Sequence, residues 1–362
     1  MRLALEARLL ARWFPAQPVA LGASRSAGTL LLDALAACVA RAARARRGNI
    51  RRLAATERPA IIIVGNLVAG GTGKTPLVAG LAHAMAERGW RVGILARGHR
   101  ARRRDPRLVG PDDDPREHGD EPVLLARTTG LPVACATDRS QALALLLRHH
   151  PGLTLVLSDD GLQHVGLART LELAVFDERG AGNGRLLPAG PLREPLAHLA
   201  TMDALLWRHA DAVATGMPVG AAPTLPGMPQ NLPRQFRFWL EPAGWRPVAD
   251  PQAPTTGLAD FAAGMRGQAV HALAGIGRPQ RFFETLRRIG IEPTRCEPLA
   301  DHVAAGAAML PPPPAQILMT AKDAVKFAPW ADARCWFLEV RARFDPALPD
   351  WLEASLRGSP TD

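Results

Sequence analysis

Three short strings hold the residue types that phosphate chemistry requires. In Gly70-Gly71-Thr72-Gly73-Lys74-Thr75, three glycines precede an adjacent lysine and threonine. Glycines at this spacing let backbone N–H groups converge on phosphate oxygens at a helix N-terminus, where the helix dipole favours anions. The ammonium of Lys74 then meets the β- and γ-phosphates, and the Thr75 hydroxyl is a ligand for Mg²⁺. The strict phosphate-loop spacing has a further glycine at position 68, where this chain has Val68. Downstream, Ser158-Asp159-Asp160-Gly161 offers two adjacent carboxylates, one to hold Mg²⁺ opposite Thr75 and one further acceptor, although an acid after a strand can also be a helix cap. Between these strings stands His118-Gly119-Asp120-Glu121-Pro122, at the start of an expected helix. Asp120 there reads either as a helix N-cap or as the general base that takes a hydroxyl proton during phosphoryl transfer. ATP and Mg²⁺ are the cofactors such a set expects.

Elements of two kinds must position these groups. From Pro59 onward, short apolar runs alternate with helical stretches, the pattern of a parallel α/β sheet. Ile61 to Val64 reads as a buried strand feeding the glycine loop, and Pro76 to Arg88 as the helix after it. A second strand, Leu153 to Leu157, delivers the paired acids to the crevice at the C-terminal ends of the strands. Arg234 to Val248 and Cys335 to Phe344 alternate apolar and polar residues and can pair as a two-stranded connection. Between them lie an expected strand over 269–274, a helix over 278–288 and a strand over 316–319, with a final helix over 349–356. The expectation is a P-loop NTPase-like parallel-sheet domain over 53–233, a smaller α/β domain with its linker strands over 234–345, and a C-terminal helix and tail over 346–362. A length of 362 residues fits two cores of ordinary size.

The charge is unevenly spread. Of 44 basic residues only Lys74, Lys322 and Lys326 are lysines, and the net charge is +10. In a chain whose default cation is arginine, Lys322 and Lys326 hint at a compact ammonium near nucleotide, the alternative being a helix-surface charge. Residues 1–52 carry ten arginines against Glu6 and Asp33, so most of the excess sits there. Leu3, Ala7, Leu10 and Phe14 share one helical face, and after a Pro15 and Pro18 break so do Leu31, Leu35, Cys38 and Ala42. Two basic amphipathic helices suit an anionic membrane surface; the other reading is that both pack on the domain behind them. Their arginines alternate with Leu and Ala rather than with stacking aromatics, which argues against nucleic acid. No run of 18 apolar residues suggests a spanning helix, and Cys38, Cys135, Cys296 and Cys335 form no CxxC pair.

A phosphate loop names the ligand and not the reaction. A guanine-specific protein would show Asn/Thr-Lys-x-Asp, and Thr320-Ala321-Lys322-Asp323 misses that spacing by one. Membrane-cycling regulatory ATPases share Gly-Gly-x-Gly-Lys-Thr but carry a lysine directly before it, where this chain has Ala69. The ordered set Val64-Gly65-Asn66, the loop to Pro76, Gly119 to Pro122 and Asp159-Asp160-Gly161-Leu162-Gln163-His164 resembles the tetraacyldisaccharide 4'-kinases of lipid A biosynthesis. Gly182-Asn183-Gly184-Arg185 through Arg193-Glu194-Pro195, Ala274 to Gly277, Arg281-Phe282-Phe283, Asp301-His302 and Thr320 to Lys326 continue the likeness over roughly 1–345.

The resemblance implies a cytosol-facing, peripheral or monotopic enzyme of the inner membrane. It would move the γ-phosphate of ATP to the 4'-hydroxyl of a membrane-embedded acylated disaccharide phosphate, with no obligate protein partner. It also implies a catalytic set of Asp120, Glu121, Lys74, Asp159, Asp160 and His302, with Lys322 as a nucleotide contact. Asn66, Arg97, Gln163, His164, Asn183 and Glu194 become the candidate substrate residues. The cluster Arg97, Arg100, Arg102, Arg103, Arg104 and Arg107 could meet the substrate's existing phosphate, or be a solvated loop opposite Asp112, Asp113 and Asp114. Ala96-Arg97-Gly98-His99-Arg100 stands where the family commonly has Ser-Arg-Gly-Tyr-Gly, and Val303 follows Asp301-His302 where a second aromatic or His is common.

Overall fold

A computed structural model describes residues 9–15, 27–98, 101–209, 228–300 and 305–358. His302, His99, Arg100, Leu3 and Ala7 lie outside the described residues.

The strand Ala60–Gly65 (β1) is buried along its whole length, as a hydrophobic run covered on both faces must be. Its neighbours are Leu155–Asp159 (β5) on one side and Leu171–Phe176 (β6) on the other, both parallel to it. Outward from β5 come Val92–Ala96 (β2), Val133–Cys135 (β4) and the short antiparallel Arg107–Val109 (β3). Outward from β6 come Ala204–Arg208 (β7) and Arg234–Pro247 (β8), again parallel.

The sheet does not stop there. Strand β8 pairs antiparallel with Cys335–Phe344 (β12), from Phe344↔Phe238 to Trp336↔Pro247. Beyond β12, Gln316–Thr320 (β11), Val270–Ala274 (β9) and Arg295–Pro298 (β10) continue in parallel. The result is one twelve-stranded sheet in the order β10-β9-β11-β12-β8-β7-β6-β1-β5-β2-β4-β3. The long strands expected as a connection are thus the middle of a continuous sheet.

Helices cover both faces: Lys74–Glu87 (α2), Asp120–Thr129 (α3), Arg139–His149 (α4), Pro279–Arg288 (α5) and Ala321–Phe327 (α6). The last helix, Ala347–Arg357 (α7), returns to the first half of the chain. Its Leu348, Leu352 and Leu356 are buried in the core that also holds Leu77, Leu81 and Met85 of α2.

Ahead of the sheet runs Ala27–Arg47 (α1). Its apolar stripe faces outward, with Leu31 63% and Leu35 46% exposed, and Leu30 beside them 53% exposed. The opposite side is tied to the body: Ala40 and Ala43 are buried, Asp33 pairs with Arg185, and Arg47 with Glu172. Residues 9–13 form a further helical turn, after which Trp13 Nε1 donates to Pro188 O at 3.2 Å and the Phe14 ring lies 4.5 Å from the Arg179 guanidinium. Among the described residues, no helix is long and apolar enough to cross a membrane.

Candidate active site

The phosphate loop leaves β1 at Gly65-Asn66 and enters α2 through Gly73, whose φ of 88° lies in the left-handed region that glycine tolerates. Asn66 staples the loop from inside, donating to Val68 O at 2.5 Å and Gly70 O at 3.2 Å. Val68 takes no positive φ and is buried, so glycine is not required there. The loop is backed by Pro191, whose carbonyl accepts from Ala69 N at 2.8 Å.

Strand pairing then brings the acids to the loop. Val64 of β1 is level with Asp159 of β5, and the Thr75 hydroxyl donates to Asp159 Oδ2 at 2.9 Å. Lys74 Nζ lies 3.0 Å from Asn66 Oδ1 and 3.4 Å from Asp160 Oδ1. Asp160 is the one non-glycine residue at positive φ among those described, at 50°, a strained conformation that turns its carboxylate toward Lys74. Arg193 fixes it from the other side, with Nη1 3.1 Å from both oxygens.

The two adjacent carboxyls therefore have opposite environments. Burial pushes Asp159 up to about 7, and the Glu121 carboxylate adds to that push against the pull of Lys74. Its Oδ1 is buried with no hydrogen-bond partner among the described residues. Burial would raise Asp160 as well, but Lys74 and Arg193 more than reverse it and hold the group well below the usual carboxylate range. An orphaned carboxylate oxygen beside a threonine hydroxyl fits a divalent cation at Thr75 and Asp159, since hard cations take oxygen ligands.

The third string resolves one open point. Gly119, at φ 93°, occupies the N-cap of α3, so Asp120 is the first helical residue and not the cap. Its carboxyl is buried, with Oδ1 accepting from Glu121 N at 3.2 Å. Lys322, at the start of α6, reaches across with Nζ 3.0 Å from Glu121 Oε1 and 3.8 Å from Asp120 Oδ2. It meets the acids of α3, so the compact ammonium sits beside the candidate base.

Glu194 is buried and held by Gln163 Nε2 at 2.8 Å, His198 Nδ1 at 2.9 Å and Arg47 at 3.8 Å. Burial opposes ionisation, but these partners keep its carboxyl below the ordinary glutamate value. Gln163 also faces Arg193, at 3.4 Å, which joins this group to Asp160.

Not every candidate reaches the centre. His164 Nε2 accepts from Arg139 N at 3.2 Å, tying the turn after β5 to α4. Asn183 spends its side chain on Arg12 O, Ala189 O and Arg185 N, which shapes its own loop. Arg97 is exposed just past β2. In the neighbouring arginine cluster, Arg107 is buried and donates to three backbone carbonyls, while Arg102 and Arg103 pair with Glu117 and Asp105. Lys326 pairs with Asp323 at 2.8 Å, and Asp323 accepts from Gly275 N at 2.9 Å.

Reasoning from sequence missed Arg193 and Arg139, whose guanidinium donates to Asp159 O and Asp160 O. Arginine is too common in this chain to mark a site by itself.

A glycine loop at a central strand, paired acids on the next strand and a buried acid at a third element define a nucleotide-dependent phosphotransferase of the P-loop class. The family described as Tetraacyldisaccharide-1-P 4'-kinase matches residues 6–357. A tetraacyldisaccharide 4'-kinase from Bordetella parapertussis is 44% identical over 300 residues, 82% of this chain and 83% of that one. Another, from Azotobacter vinelandii, is 42% identical over 371 aligned residues, 98% of each chain. The crystal structure of LpxK from Aquifex aeolicus in complex with ATP shares the fold, with a TM-score of 0.71 at 24% identity over 91% of this chain and 99% of that one. The chain belongs to this family, the ATP-dependent kinases that phosphorylate the 4'-position of tetraacyldisaccharide 1-phosphate in lipid A biosynthesis.

Proposed function

We propose that the γ-phosphate is transferred at the junction of β1 and β5, with Asp120 as the base. The observation that carries this is the meeting of Lys74, Thr75, Asp159 and Asp160 within hydrogen-bond or ion-pair distance. The 4'-oxygen forms a bond to the γ-phosphorus as the bond to the β,γ-bridging oxygen breaks. ADP leaves, and the hydroxyl proton passes to Asp120 Oδ. Lys74 neutralises charge on the β- and γ-phosphates, and Lys322, paired with Glu121 and beside Asp120, holds the two acids of α3 in place. Thr75 and Asp159 would hold Mg²⁺, which when bound would supply charge neutralisation on the phosphates. Arg193, Gln163 and Glu194 brace Asp160 and border the acceptor side.

Residues 53–233 and 234–345 act as two lobes, and bringing α6 to α3 excludes water from the transfer. The outward leucines of α1, with Arg41, Arg44 and Arg46 exposed on the same helix, support docking on the anionic cytoplasmic face of the inner membrane. A substrate whose acyl chains stay in the bilayer then raises its sugar to the loop.

The test is transfer of labelled γ-phosphate to a tetraacyldisaccharide 1-phosphate in mixed micelles. Lys74→Ala is expected to abolish transfer. Asp120→Ala is expected to lower kcat by about 10²-fold or more while ATP affinity holds within roughly threefold. An unchanged kcat in Asp120→Ala removes the base assignment.

A further inference from the structure

One cation on the nucleotide side of the loop has no part in the roles above. Arg208 ends β7, two strands from β1 on the side away from β5. Successive residues of a strand face opposite layers. Leu205 and Trp207 lie in one core, and Ala204 and Leu206 lie in the core shared with α2. Arg208 continues the second series, which directs it to the start of α2.

There the guanidinium stands against the last glycine of the phosphate loop. A Cβ added at Gly73 would lie 3.1 Å from Arg208 Nη1 and 3.4 Å from its Cζ. Gly73 immediately precedes Lys74, where the backbone N–H groups of α2 open toward phosphate. Arg179 stands similarly over Gly70, with Nη1 and Nη2 3.5 Å from a Cβ added there.

No carboxylate among the described residues forms an ion pair with Arg208. Its guanidinium makes no hydrogen bond or ion pair among the described residues, in contrast to Arg179, 2.9 Å from Asp177, and Arg281, 3.5 Å from it. Burial and the neighbouring Arg281 bring it down to about 10, with Asp177 pulling the other way and Arg179 adding to the repulsion. It remains a cation at neutral pH. A half-buried guanidinium with no ion-pair partner is placed to take an anion that completes it.

We infer that Arg208 binds the phosphate chain of the nucleotide at its α/β end, as a positioning contact for the donor. The inference rests on the ATP-dependent transfer proposed above. Lys74, Asp160 and Asp120 mark the transferring end on the β1, β5 and α3 side, so Arg208 on β7 meets the part that ADP retains. Charge-assisted bonds from guanidinium to phosphate supply both orientation and affinity.

The experiment compares wild type, Arg208→Gln and Arg208→Lys by calorimetric binding of ADP and of a non-hydrolysable ATP analogue, by melting temperature with and without ADP, and by steady-state kinetics. In Arg208→Gln both nucleotides are expected to bind about tenfold more weakly or worse. KM for ATP should rise in step, with kcat and the lipid KM changing less, and Arg208→Lys should recover part of the loss. The nucleotide-free melting temperature is expected to stay level or rise, because no ion pair is lost, while the ADP-induced increase shrinks. Affinity for ADP within twofold of wild type in Arg208→Gln overturns the inference. So does a fall in the nucleotide-free melting temperature with the ADP-induced increase intact, which marks a structural cation. Wild-type protein that binds ADP through Arg208 but phosphorylates no tetraacyldisaccharide leaves this inference standing and overturns the transfer reading alone.

Discussion

Adjacent carboxylates with different partners do different work. Asp160 is gripped by Lys74 and Arg193 and stays ionised, whereas Asp159 keeps one oxygen uncommitted beside Thr75. Glu194 belongs to the first kind: buried, and held below its ordinary value by His198, Gln163 and Arg47 against the cost of burial. A glutamate depressed in the folded state stabilises the fold above its unfolded value, near 4.5, and loses that contribution as pH falls through the folded value. Glu194→Gln is therefore expected to cost on the order of 1–3 kcal/mol near pH 7, with the gap to wild type narrowing as pH drops below about 4.5. Chemical denaturation of both proteins across pH 3–7 measures it, and a gap that widens toward acid contradicts the assignment. At this scale the sequence was legible where residue type is scarce. Lys74 is one of three lysines, and Lys322, another of them, proved to sit on the acids of α3. Arg193, Arg139 and Arg208 were hidden among forty-one arginines, because their importance lies in what they face, which spacing does not encode.

At the scale of elements, amphipathic periodicity located α1 but could not say which way its stripe faces. Core and membrane ask for the same pattern. The structure shows which side meets the protein: Ala40, Ala43, Asp33 and Arg47 hold the body, and Leu30, Leu31 and Leu35 are left outside. Several apolar side chains grouped on one exposed helix face are a docking surface more often than an accident. Leu31→Glu with Leu35→Glu is expected to reduce co-sedimentation with anionic vesicles several-fold and to leave the melting temperature within roughly 1–2 °C, since neither side chain is packed. Retained vesicle binding would remove α1 from the membrane contact, and a large drop in melting temperature would mean the stripe packs on the protein after all. The glycine loop and the acid pair were readable because their elements are local: strand, turn and helix follow one another within a few residues. Strand β8 was readable as an alternating strand, but its parallel partner β7 lies across residues 209–233, and pairing over such a gap is set by the whole sheet.

On the scale of the molecule, one sheet carries both halves, and the second half reaches the first at the phosphate loop itself. Asp323 holds Gly275 N at 2.9 Å, which fixes the turn that brings Gly277 to Gly71. A Cβ added at Gly277 would lie 3.0 Å from Gly71 N and 3.4 Å from its Cα, and both are backbone atoms that cannot swing away. Gly277→Ala must therefore push the turn and the loop apart by a few tenths of an ångström, without touching Lys74, Thr75 or either aspartate. If the loop's shape depends on this contact, the variant should bind ATP several-fold more weakly and turn over about tenfold more slowly, since small misplacements at a transfer site are costly. Its fold should survive, because the buried cores on either side are untouched. Nucleotide titration, melting temperature and steady-state kinetics on the one variant decide the matter. Wild-type affinity and turnover would mean that the two halves merely touch, and that the phosphate loop is shaped by Asn66 and the Pro191 backing alone.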